Sequence, residues 1–229
     1  MEDLIENKKC YASPTQRDVL LHLISHPVIE NYFFLTGGTA LSVFYLHHRL
    51  SNDLDFFTLK PVDLAEIDLW IRTMWTKDSA KIKESPNFLS FLISETKVDF
   101  VIDPLSNKEE REKVLFENGH YLSVDTINNI VSNKFCTIVS RVEPKDFIDF
   151  YFILKMFPER SLEEIDKNAR LKDAIFDDPP TVAFQLEEGL ASLRETSTIF
   201  PQTTRDLDIQ DFFEFYEGVV NWLYQRIKI

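Results

Sequence analysis

The sequence predicts an α+β protein. A mixed sheet flanked by helices is expected over residues 1–105, followed by an α-helical domain over residues 106–229. Three observations predict this. Short runs rich in aromatic and branched residues alternate with helical patterns in the first half. Two such runs, Phe88 to Ile93 and Lys97 to Ile102, are separated only by Ser94-Glu95-Thr96, which makes a hairpin and argues against a doubly wound parallel sheet. After Pro104 the pattern is mostly helical, interrupted by charged, proline-bearing joints near 106–113, 158–161 and 177–180.

The elements follow in order. Ser13-Pro14-Thr15-Gln16 starts a helix: Ser13 suits the N-cap, Pro14 the first helical position, and Gln16 a capping box. Val19, Leu20, Leu23 and Ile24 then repeat with the helical period. Tyr32 to Leu35 reads as a buried strand ending in a tight turn at Gly37-Gly38. Thr39 to His48 has no Gly or Pro and reads as a helix, and Asp53 to Thr58 as a strand. Pro61 and Asp63 open a further helix to about Trp75. In the second half, Asp125 is placed to cap a helix over 126–141, and further helices are expected over 146–157 and 208–228. The aromatic residues of the last one, among them Phe212, Tyr216 and Trp222, read as core packing.

Composition narrows the function classes. With 25 Lys and Arg against 38 Asp and Glu the formal net charge is −13, which argues against extended, non-specific coating of nucleic acid. Hydrophobic residues make up 44%, enough for a core, and the 20 Phe argue against disorder. Cys10 and Cys136 make no disulfide framework, and no run of ~18 apolar residues provides a membrane span, so a cytoplasmic protein is expected. The N-terminal residues lack the apolar stretch of a signal peptide.

Asp53-Leu54-Asp55 is the sharpest local feature. Residues i and i+2 of a strand share a face, ~7 Å apart, so the two carboxylates can converge on divalent cations. Alone, the triplet more often marks two solvated acids on an outer strand. Asp99 adds weight, because Val98, Phe100 and Ile102 form one apolar face of Lys97 to Asp103 and leave Asp99 on the other. Three carboxylates on two neighbouring strands suit a two-metal site for phosphoryl or nucleotidyl transfer, and all-oxygen ligation suits Mg²⁺. Asp103, beside Pro104, reads as a turn residue. Gly37-Gly38-Thr39 leads into a helix whose N-terminal N–H groups favour anions, although the same three residues serve ordinary strand–turn–helix joints.

GGTALSVFYLHHRLSNDLDFF, from Gly37 to Phe57, resembles the first motif of the AbiEii/AbiGii-type nucleotidyltransferase toxins, a branch of the DNA polymerase β-like nucleotidyltransferase superfamily. KVDFVI resembles the second motif, and SNKFCTIVSRVEPKDFIDFYFILK, residues 132–155, the third. The resemblance covers residues 33–155; the C-terminal ~70 residues carry nothing diagnostic. It implies a nucleotidyltransferase fold in the first domain, with the helical domain completing the active-site cleft. It implies that Asp53, Asp55 and Asp99 hold two Mg²⁺ ions, and that Gly37, Gly38, Thr39, Arg49, Ser51 and Lys134 hold the nucleoside triphosphate. Asp149 is implied to orient Lys134 or Arg141 or to position the acceptor. Asp146 reads as a helix cap after Pro144. The implied acceptor is a tRNA end or a protein hydroxyl, and the implied partner a cognate antitoxin. An RNA acceptor on so acidic a protein has to meet a local basic patch, such as Lys81/Lys83 or Lys134/Arg141/Lys145.

Two other readings stay open. One is a catalytically silent nucleotide-binding or interaction module on the same fold. The other is a two-metal nuclease, against which the glycine turn speaks, since hydrolysis needs no triphosphate cradle.

Overall fold

The computed structural model describes residues 4–106, 108–195 and 200–226. The chain divides into two compact units, Met1–Ile127 and Asn128–Ile229. No helix among the described residues is long and apolar enough to cross a membrane.

The first unit opens with α1 (Pro14–Leu23), where Ser13 Oγ accepts a hydrogen bond from Gln16 N at 3.1 Å. The Gln16 side chain reaches back not to Ser13 but to Ala12 N, at 2.8 Å. Val19, Leu20 and Leu23 form the buried face. A short helix, α2 (Pro27–Tyr32), follows where no helix was expected; Pro27 sits in its first turn and presets the backbone. β1 (Phe34–Thr36) runs directly into α3 (Gly37–Ala40), which continues as a π-helix (Leu41–Leu46). Gly37, left-handed at φ 69°, turns the chain out of β1 into this helix, and Gly38 lies in its first turn. The wide turns end where His47 N donates to Ser42 O, five residues back, and His47 itself is left-handed at φ 53°.

β2 (Asp53–Thr58) is followed by α4 (Leu64–Met74), capped as expected by Asp63, whose Oδ1 accepts from Ala65 N at 2.9 Å. Then come β3 (Ser79–Ser85), β4 (Phe88–Ile93) and β5 (Thr96–Ile102), and finally β6 (Glu112–Leu115) and β7 (Tyr121–Val124). The described strands form one sheet in the order β3-β4-β5-β2-β1-β7-β6. It is mixed: β2 pairs with β5 and β1 with β7 in parallel, and the other neighbours are antiparallel. β4 and β5 make the expected hairpin, through left-handed Ser94 and Glu95.

β3, β6 and β7 have no counterpart in the sequence pattern. β3 and β6 are the two edges, where one side of the strand has no partner, and the run Ser79 to Ser85 is mostly exposed on both faces. Nothing there forces an apolar alternation. Asp125 is a fully buried carboxylate between β7 and the next helix that accepts from Thr36 Oγ1 at 2.6 Å, Arg111 Nε at 3.0 Å and Thr126 N at 3.0 Å.

Alternation along β2 and β5 separates the sheet's faces. Leu54, Phe56, Val98 and Phe100 are fully buried in the core, where Phe56 and Phe100 stack with centroids 5.5 Å apart. Asp53, Asp55, Lys97 and Asp99 occupy the opposite face.

The second unit is helical: most of α5 (Ile127–Ser140), then α6 (Pro144–Met156), α7 (Leu162–Arg170), α8 (Pro179–Glu195) and α9 (Ile209–Gln225). The expected end of the last helix, at residue 228, lies outside the described residues. Every residue of α6 from Asp146 to Ile153 is buried, so this helix is covered on all sides. Phe150 stacks on Phe135 at 5.2 Å, and the hydroxyl of buried Tyr216 on α9 donates to Phe147 O at 2.6 Å. Of the aromatic residues of α9, Phe212 and Tyr216 are core, buried with Val219 and Leu223, whereas Trp222 is only partly buried and donates from its indole to Glu163 Oε1 at 2.8 Å.

Candidate active site

The sheet register builds the site. Thr36 on β1 stands opposite Asp55 on β2, Asp55 opposite Asp99 on β5, and Asp99 opposite Ser90 on β4. Residues so paired point to one face, with backbones about 4.8 Å apart from strand to strand. One step along, Asp53 is opposite Lys97. Three carboxylates and one ammonium thus share the face of the sheet that the core does not use.

The glycine turn closes against this row. Gly37 is left-handed at φ +69°, and a Cβ there would overlap Asp55 Oδ2. Backbone conformation and space both demand glycine. A Cβ on Gly38 would lie 2.6 Å from Arg49 Nη2 and 2.9 Å from Ser51 Oγ, both of buried residues. Gly37, Gly38, Arg49, Ser51 and Asp55 therefore form one cluster, as the expected site requires. Thr39 departs from its expected part: its hydroxyl donates to Asp53 O, and the residue is fully buried. It ties the start of α3 to the start of β2 rather than offering its hydroxyl to a ligand.

Asp99 is held from two sides. Ser90 Oγ donates to Asp99 Oδ1 at 2.6 Å, and Lys97 Nζ to Asp99 Oδ2 at 2.5 Å. Burial works against the charge on Lys97. The hydrogen bond to Asp99 and the fields of Asp99, Asp53 and Asp55 outweigh it and hold the ammonium above the ordinary lysine range. The donor set, three carboxylates in register on adjoining strands, fits a hard divalent cation. Their oxygens do not yet converge: among the described residues no three His, Cys, Asp or Glu side chains are grouped to hold a metal ion. Asp99 is turned to Lys97 and Ser90, and Asp55 lies against Gly37.

The second unit holds a separate charge cluster. Lys134 on α5 is buried, with its ammonium 2.7 Å from both Asp146 and Asp149 on α6. Arg141 Nη2 reaches the other oxygen of Asp146 at 2.8 Å. Two cations and two carboxylates are balanced here, which is what burial of charge requires. Asp146 is thus no cap: Glu143 holds the cap position, and Asp146 turns its carboxylate inward. Complete burial, with the charges of Asp149 and Asp146 added to it, raises the Tyr216 phenol well above its ordinary value.

Sequence reasoning missed Lys97, Ser90 and Asp146. The i, i+2 rule that pairs Asp53 with Asp55 also pairs Lys97 with Asp99, and the hairpin register yields Ser90. The two anticipated basic patches are largely spoken for. Lys81 pairs with Asp68 and Glu84, Lys83 lies 5.8 Å from the centre of the Phe88 ring, and Lys134 and Arg141 serve Asp146.

The family described as nucleotidyl transferase AbiEii toxin, type IV TA system, matches residues 18–218. No curated protein sequence matches the chain. Among solved structures, a proposed nucleotidyltransferase from H. pylori superposes with a TM-score of 0.53 at 16% identity, over 96% of this chain and 97% of its own. JHP933 from Helicobacter pylori gives 0.52 at 16% identity, over 94% of both chains. The antibiotic-resistance factor ANT(2'')-Ia gives 0.50 at 14% identity, over 81% of this chain and 99% of its own. At these identities the likenesses establish the fold.

Proposed function

Because the chain belongs to the AbiEii nucleotidyl transferase toxin family, we propose that it moves a nucleotidyl group from a nucleoside triphosphate to an acceptor hydroxyl. The carrying observation is the register that sets Asp53, Asp55 and Asp99 on one face beside the Gly37-Gly38 turn. The acceptor oxygen attacks the α-phosphorus in line, the bond to the β-phosphate bridging oxygen breaks, and pyrophosphate leaves. The hydroxyl proton is lost to water.

Gly37 and Gly38 let phosphate oxygens approach the backbone at a helix N-terminus, where N–H groups are unpaired. Arg49 and Ser51, packed at Gly38, stand beside that approach. Asp53, Asp55 and Asp99 would hold Mg²⁺, which when bound supplies positive charge to the reacting phosphate and acidifies the acceptor hydroxyl. Lys134 as a triphosphate contact and Asp149 as its positioning residue belong to the same proposal. So do a tRNA end or protein hydroxyl as acceptor, a cognate antitoxin and a cytoplasmic site of action.

The test is transfer of label from each of the four α-³²P nucleoside triphosphates to tRNA and protein acceptors with Mg²⁺, beside Asp53→Ala. Wild-type protein should label an acceptor and the variant should not; equal labelling defeats the proposal. One observation favours a second reading, a catalytically silent nucleotide-binding module: the carboxylates are not grouped for a metal as they stand. Nucleotide binding without transfer to any acceptor would decide for it.

A further inference from the structure

Lys97 is the part of the site that the transfer chemistry leaves unassigned. It projects from β5 on the face of the carboxylates, opposite Asp53 and two residues from Asp99. Its ammonium sits 2.5 Å from Asp99 Oδ2, where Lys97 is 42% exposed in its side chain and Asp99 11%. An ammonium is a compact charge on a flexible four-carbon stem, and it has an open route to solvent here. The oxygen that Lys97 occupies belongs to the carboxylate that a divalent ion would share with Asp53 and Asp55.

Resting on the metal reading given above, we propose that Lys97 is a built-in competitor of divalent metal for Asp99. In the metal-free protein it neutralises part of the acidic face and keeps Asp99 turned aside. Loading of the site requires Lys97 Nζ to leave Asp99 Oδ2 and swing to solvent, while Ser90 keeps its hold on Oδ1 and guides the carboxylate's return. The charge of the site then stays closer to constant through the cycle than the three carboxylates alone would allow. Divalent affinity in the absence of nucleotide is held down by the same contact.

The test is a Mg²⁺ titration of the ¹⁵N-labelled full chain, followed by NMR of lysine Nζ and of the β5 backbone amides. The Lys97 Nζ signal is assigned by its loss in Lys97→Met. It should shift towards that of a solvated lysine as Mg²⁺ is added. Lys97→Met and Lys97→Gln should each bind Mg²⁺ about tenfold more tightly than wild type, and Lys97→Arg, which keeps the charge, about as wild type does. A Lys97 signal that stays put while the β5 amides saturate overturns the proposal, as does equal Mg²⁺ affinity in wild type and both neutral variants. Unaltered Mg²⁺ binding by Asp53→Ala is a different failure, since it removes the carboxylates as the metal site altogether.

Discussion

Asp55 and Asp99 stand opposite each other on adjoining parallel strands, each turned to a different neighbour: Asp55 to the Gly37 backbone, Asp99 to Lys97 and Ser90. Neither carboxylate takes part in the apolar core, whose residues on these strands are Leu54, Phe56, Val98 and Phe100. Asp55→Asn and Asp99→Asn should therefore lower transfer by about 10³-fold or more, a loss of several kcal/mol of transition-state stabilisation, with little change in the urea midpoint. Equal losses of activity and of folded protein would place these residues in the scaffold instead.

Gly37→Ala puts a methyl group where Asp55 Oδ2 lies and forces an L-residue to a left-handed φ of +69°. The backbone term alone costs about 1–2 kcal/mol. Displacement of Asp55 adds a catalytic defect that backbone strain does not predict. Activity should fall much further than the melting temperature, as separate thermal and transfer assays on one preparation would reveal.

Asp146 compensates Lys134 and Arg141 from a fully buried position. Asp146→Ala leaves Lys134 buried with only part of its partner set, and a broken buried pair costs about 3–5 kcal/mol. Urea denaturation should show a shift of that size. Replacing Lys134 and Asp146 together should not recover it, since fully buried Asp149 then loses the ammonium 2.7 Å away.

Burial holds the His26 imidazole below its ordinary value, and Glu66, 3.9 Å away, only partly opposes this. The unfolded chain therefore takes up this proton at a higher pH than the folded one. The contribution of His26 is complete above its unfolded value of about 6.5 and declines as pH falls below it, towards the folded value. Thermal melts at pH 8 and pH 5.5 should differ less in His26→Gln than in wild type. An identical pH response in the two proteins would assign the acid sensitivity elsewhere.

Burial also pushes the Cys136 thiol up to about 11. At pH 8 it is protonated and a poor nucleophile. Iodoacetamide should modify it slowly in the native protein, and faster as the pH is raised towards 11. Rapid native-state modification at pH 8 would contradict that environment.

The site was more legible than the fold around it, for a physical reason. Asp53, Asp55 and Asp99 are set by the two-residue period of strands whose other face carries Leu54, Phe56, Val98 and Phe100, so alternation marks them. Gly37 and Gly38 stand out because the chain has only 5 glycines. The edge strands β3 and β6 are half-paired and exposed, and no apolar period announces them. α6 shows the opposite failure: with Asp146 to Ile153 all buried, its pattern has no polar face to define its orientation. The sequence therefore offers Asp146 only as a cap, and its partners Lys134 and Arg141 emerge from the packing of α5 against α6 within the second unit.

The Thr39 hydroxyl bound to Asp53 O has a bearing on selectivity. It rivets the Gly37-Gly38 turn to the first acidic strand. Under the proposed transfer, the gap between the glycine turn and the Asp53/Asp55 pair is then a constant of the scaffold, indifferent to which base the nucleotide carries, and discrimination among the four nucleotides would fall to other side chains.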